Sequence, residues 1–218
     1  MAGDRFRRND DPAVREARKT MRAEADENVV NTIRYGDDET RRTNWTDTYD
    51  DDGTIQWSTS SEKGTQERKQ ERRTFRTLER ETGLDFQRVG RKKKTSDIHI
   101  KRFNDNDKYF DRKYGDESWY NEAPGGLAHT NVRKRGDRKG SNFSRVEAPK
   151  KDVWKGQSQH ILSHEIGHAL GLRDMNDDEQ ADVANKSVMG YNTNYKAASR
   201  KNPYSKNDYE AIRRNYGQ

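Results

Sequence analysis

The stretch His160-Ile161-Leu162-Ser163-His164-Glu165-Ile166-Gly167-His168-Ala169-Leu170-Gly171-Leu172-Arg173-Asp174 decides how the rest of this sequence is read. His164 and His168 are four residues apart, so on a helix they project from one face, one turn apart. That spacing lets two imidazoles reach a single zinc ion at about 2.0–2.1 Å each. Leu162, Ile166, Ala169 and Leu170 fall roughly opposite and can anchor the helix in a core, so ligands and apolar side chains are separated by the helical period. Glu165 points about 100° round the helix from His164. It is placed to take a proton from a water in the ion's open position, as a general base, and to return it to a leaving amine. Gly171 tolerates positive φ, so the helix can end there and the chain can reverse. Asp174 then arrives as a third ligand. Two imidazoles and one carboxylate leave a fourth position open, which is the catalytic rather than the closed structural pattern. His160 extends the row to i, i+4, i+8 and reads as a neighbour of the site or a surface residue rather than a ligand.

Outward from this segment, alternation and punctuation define a domain over residues 51–218. Thr54–Ser58 reads as a short strand. Gln66–Thr82 reads as a helix with Phe75 and Leu78 on one face and Gly83 at its C-terminal cap. Leu84–Val89 and Asp97–Phe103 alternate as strands. Gly125–Val132 and Asn142–Val146 read as two more. Gln157–Leu172 is the helix that carries the histidines. A last helix starts at Ser205, with Asp208 in a capping-box position and Tyr209, Ile212 and Tyr216 on its apolar face. This order predicts an α+β fold with one twisted mixed sheet. Residues 1–50 read as a polar N-terminal extension, disordered in part or resembling a prosegment. A helical stretch runs from Pro12 to about Ile33, with Val14, Met21, Ala25, Val29 and Ile33 loosely on one side.

Composition bounds the alternatives. Of 218 residues, 38% are charged and only 28% hydrophobic, yet the net charge is +6. Such a mixed-charge chain has little apolar material to place, and a large core throughout is excluded. There is no cysteine, which excludes disulfides, thiolate ligands and cysteine nucleophiles. No apolar run is long enough to span a membrane, and the N-terminus lacks the apolar core of a secretory signal. Either a cytoplasmic location or export by a leaderless route is expected.

The segment His164 to Asp174 resembles the extended zinc signature of the metzincin metalloproteases, in a variant that ends in Asp, as in snapalysin-type enzymes. Ser187-Val188-Met189-Gly190-Tyr191, about fifteen residues on, is similar to the Met-turn, especially in its serralysin form. Pro124-Gly125-Gly126-Leu127-Ala128-His129 is similar to the upper edge strand of matrixins. The resemblance implies a metzincin-like zincin fold with an active-site helix and a C-terminal helix. It implies zinc on His164, His168 and Asp174, and Met189 beneath the metal. Tyr191 is then near the metal or the developing oxyanion, and Gly126, Leu127 and Ala128 are a substrate-binding strand. The implied activity is that of a zinc endopeptidase with Glu165 as general base. Its partners are protein or peptide substrates, and the chain is expected to be monomeric, without membrane insertion.

Weaker signals remain. The loop Asp105-Asn106-Asp107 to Glu117 offers oxygen ligands for calcium but fits no EF-hand spacing. Tyr35-Gly36-Asp37-Asp38 faintly resembles an aspartate switch and reads more readily as a turn. Arg91-Lys92-Lys93-Lys94 and Arg133-Lys134-Arg135 supply the competing reading of a nucleic-acid-binding protein, which interspersed acidic residues weaken. A third reading is a metzincin-fold binding module with catalysis lost; the intact base and ligands argue against it.

Overall fold

Thr54–Thr59 (β1) and Ile98–Phe103 (β3) are buried along nearly their whole length, as strands covered on both faces must be. The computed structural model describes residues 12–34, 54–90, 96–103, 129–134, 142–150, 158–174, 186–190 and 203–217. Asp85–Arg88 (β2), His129–Lys134 (β4) and Asn142–Pro149 (β5) complete a five-stranded sheet of order β2-β1-β3-β5-β4. β1 runs parallel to β2 and β3, and β3 parallel to β5; β4 alone is antiparallel, along β5. With the helices Pro12–Ile33 (α1), Gln66–Thr82 (α2), Ser158–Ala169 (α3) and Lys206–Asn215 (α4), the architecture is the expected α+β fold with a mixed sheet. The strand expected over residues 125–132 is described from His129 onward and continues to Lys134; its glycine-rich start lies outside the described residues.

Local chemistry sets the helix ends. The Thr65 hydroxyl accepts from the Arg68 N–H at the start of α2, and Gly83 closes it at φ 77°, its N–H donating to the Glu79 carbonyl. Ser205 opens α4 with the full capping box expected, the Asp208 carboxylate returning to the Ser205 N–H. The core lies between sheet and helices. Phe75 of α2 stacks on Trp57 of β1 at 4.3 Å and packs against Phe86 of β2. Leu162, Ile166, Ala169 and Leu170, the face of α3 opposite the histidines, are all buried, as the helical period requires.

The N-terminal segment is helical over the expected range, but its packing differs from that of a solvated tail. Val29, Val30 and Ile33 belong to the buried core, and α1 lies along α4 with Glu27 paired to Arg214. Met21, grouped by periodicity with these residues, is 67% exposed. Among the described side chains of α1, the buried ones lie in its last turns.

One buried ion pair was invisible to periodicity. Arg102 of β3 donates through Nε to Glu71 Oε1 of α2 at 3.0 Å, with both side chains almost wholly shielded from water. Ser61 donates to the same carboxylate oxygen at 2.6 Å. Burial lowers the Arg102 pKa, and the Glu71 charge works against that fall. Removing one partner leaves a buried charge uncompensated. Glu71→Ala is therefore expected to cost about 3–5 kcal/mol in urea unfolding; a loss below about 1 kcal/mol would mean that the pair does not join helix to sheet.

Candidate metal centre

α3 delivers His164 and His168 from successive turns, and its end folds back to bring in the third group. Gly171 adopts φ 85°, the left-handed conformation that lets the chain reverse after the helix. Three residues later Asp174 Oδ1 lies 3.0 Å from His164 Nε2 and 3.2 Å from His168 Nε2. One ligand atom from each of the three residues falls within 4.8 Å of the others, the one such cluster found among the described residues.

The ring orientations show what this convergence requires. His164 Nδ1 is 3.0 Å from the Val188 carbonyl, and His168 Nδ1 is 2.9 Å from the Leu172 carbonyl. A carbonyl oxygen only accepts, so each Nδ1 carries the hydrogen and each Nε2 presents a lone pair. Those lone pairs face a carboxylate oxygen that is itself only an acceptor. Three electron-pair donors around one point call for a cation. A tetrahedral zinc about 2.05 Å from each donor would hold them about 3.3 Å apart, close to the spacing seen. The donor set therefore fits zinc. Without a metal a proton must serve. Burial of His164 opposes its charge, but the Asp174 and Glu165 carboxylates outweigh that and raise its pKa to about 9. Asp174 is held far below the usual carboxylate range, because the two imidazoles outweigh its partial burial.

Behind these three side chains lie further groups. Glu165 is buried, and its charge is close enough to act on His164. Met189 is fully buried against α3; a Cβ added at Gly167 would meet Met189 Sδ at 2.7 Å, so glycine at 167 is what admits the thioether under the helix. The turn that carries Met189 is anchored by Asp208 of α4. The Ser187 hydroxyl donates to Asp208 at 2.5 Å, and the Val188 N–H donates to it at 3.1 Å. The same carboxylate takes the Ser205 N–H at 2.6 Å. Burial raises the Asp208 pKa, and these donors restrain the rise. The Tyr204 hydroxyl donates to the Ser163 carbonyl, tying the approach to α4 back onto α3.

Of the candidate site residues, His164, His168 and Asp174 come together, and Glu165 and Met189 lie beside them. Tyr191, Gly126, Leu127 and Ala128 lie outside the described residues, as do the acidic loop from Asp105, the Tyr35–Asp38 segment and the basic run Arg91–Lys94. Among the described residues, nothing supports calcium. His160 stands apart from the ligand cluster, its ring centroid 6.3 Å from that of His164. Burial and the neighbouring imidazole lower its pKa to about 4. Gly167 and Ser187 fall within the motifs quoted from the sequence, but their roles here, and the second role of Asp208, were not assigned from it. The capping box marked Asp208, but nothing in the sequence said that its carboxylate would also hold another turn.

The family model for matrixins, a group of metallopeptidases designated peptidase M10, matches residues 44–217. No curated protein matches the chain.

Two outcomes are expected. In metal-stripped protein the raised His164 pKa contributes stability that is complete below its unfolded value of about 6.5. That stability is lost as pH rises through about 9. Denaturation midpoints at pH 6 and pH 9.5 test this: the gap between them should close when Asp174 is replaced by Ala. Asp208→Ala should cost about 3 kcal/mol, because it orphans several buried donors at once. A thermal midpoint unmoved by this change would rule out the anchoring role.

Proposed function

The chain belongs to the matrixin family, whose members use zinc for peptide-bond hydrolysis, and from the site geometry we propose that it is itself a zinc-dependent endopeptidase. The observation that carries the proposal is the convergence of two Nε2 lone pairs and one carboxylate oxygen at a single point. His164, His168 and Asp174 hold the metal in this reading. When bound there, zinc supplies a Lewis acid that brings the pKa of a coordinated water down to about 7.

The chain's own groups do the rest. Glu165 is the general base: its carboxylate accepts a proton from the attacking water and passes it to the amide nitrogen as the C–N bond breaks. The Val188 and Leu172 carbonyls keep both imidazoles in the tautomer that binds metal. Met189 closes the floor of the site. Tyr191, two residues beyond it, is assigned to the developing oxyanion as a hydrogen-bond donor. The substrate lies extended along the segment Gly126-Leu127-Ala128, where strand addition supplies backbone hydrogen bonds. Support comes from β4, which follows that segment directly and, among the described strands, forms one edge of the sheet. Residues 51–218 form the catalytic domain in this reading, preceded by an extension over 1–50.

Zinc analysis and peptide-library cleavage, on wild type and on Glu165→Ala, test the proposal together. Wild type should bind one zinc and cleave. Glu165→Ala should keep the metal and lose about 10²–10⁴-fold in kcat. A zinc-loaded wild type that cleaves no peptide would make the protein a binding module, and retained cleavage in the variant would remove Glu165 from the mechanism.

A further inference from the structure

Helix α1 ends before the family match begins at residue 44, yet its last turn touches the segment that carries the third ligand. The Arg173 N–H donates to the Ile33 carbonyl at 2.8 Å. Arg34 and Leu172 form an antiparallel bridge. The Arg173 guanidinium Nε donates to the Thr32 carbonyl. From the other side, Asn215 at the end of α4 donates to the Gly171 carbonyl at 2.9 Å and accepts from Arg34 Nε at 3.1 Å. The chain between Gly171 and Asp174 is thus gripped from two directions.

One peptide unit is decisive. The carbonyl of Leu172 holds His168 Nδ1, and the N–H of the same Leu172–Arg173 peptide is bound by Ile33. Fixing that plane orients a ligand's ring on one side and launches Asp174 on the other. Capping bonds from the Gly171 N–H to the His168 carbonyl at 3.0 Å and from the Leu172 N–H to the Gly167 carbonyl at 2.9 Å hold the chain as far as the Leu172 nitrogen. The next peptide is bonded instead to Ile33, outside the segment.

We propose that the last turn of α1, Thr32–Arg34, is a positioning element of the metal centre, which fixes the Leu172–Arg173 peptide and through it both His168 and Asp174. The N-terminal helix is then a working part of the mature site, not a segment to be shed. The inference rests on the zinc-site reading above. It adds that ligand geometry depends on residues before the family domain. Anchoring of α1 by Val29, Val30 and Ile33 in the core, and by the Glu27–Arg214 and Asp26–Lys206 pairs to α4, gives it the rigidity that the role needs.

The test uses the full chain. Zinc affinity is measured by chelator competition, the visible spectrum of the cobalt-substituted protein reports ligand geometry, and urea unfolding reports stability. Arg173→Met removes the donor to Thr32 and is expected to weaken zinc binding about tenfold, the usual scale for loss of a group that orients a ligand. Arg173→Lys, which keeps a donor, should recover most of that loss. Ile33→Ala, in α1 and away from the ligands, should weaken zinc binding and alter the cobalt spectrum too. If Ile33→Ala does not fold, the surface pair Asp26→Asn with Glu27→Gln loosens α1 instead and should act in the same direction. Zinc affinity and cobalt spectrum equal to wild type in Arg173→Met and in the α1 variants, with stability alone reduced, would overturn the proposal. A wild type that binds no zinc would instead overturn the metal-site reading on which it rests, before any variant is compared.

Discussion

Everything at this site depends on one electrostatic demand. Two imidazoles are locked by carbonyls into presenting bare nitrogens, and a carboxylate oxygen is brought to within 3.0–3.2 Å of both. Acceptors so placed repel one another unless a cation stands among them. The raised pKa of His164 is the same demand met by a proton. In the proposed reading, metal uptake would displace that proton, which links affinity to acidity in this site.

The rest of the fold can be read as a frame for that cluster. α3 spends its apolar face on the core, which leaves the histidines on the other. α4 contributes an aspartate that serves its own cap and the Met189 turn together, so the end of the chain is locked to the floor of the site. A side chain shared in this way couples two elements far apart in sequence, and the low-dielectric surroundings raise the cost of leaving any one partner unpaired. The buried Arg102–Glu71 pair joins α2 to the sheet by the same logic.

This economy suits a chain with little apolar material. Only 28% of its residues are hydrophobic, and buried charged and hydroxyl groups stand in for part of the core. Ser58 of β1, His99 of β3 and Ser96, just before β3, form one such buried hydrogen-bonded set. Each depends on complete pairing, since an unsatisfied buried polar group is more costly than an apolar one in its place.

The sequence by itself determined the metal ligands as candidates, the helices, most strand positions and the caps at Gly83 and Ser205. These follow from i, i+4 spacing, alternation and the backbone preferences of glycine, serine and aspartate, all of which act within a few residues. Only the tertiary structure decided that Asp208 would hold a second turn, that Glu71 and Arg102 would be buried together, and that the end of α1 would grip the peptide before Asp174. Helical periodicity marked Val29 and Ile33 as one face but grouped exposed Met21 with them, because periodicity says which side a residue faces and not what lies there. Contacts between residues more than a hundred positions apart, such as Ile33 with Arg173, leave no local pattern to read. They are set by how the elements pack, and that is fixed by the whole chain at once.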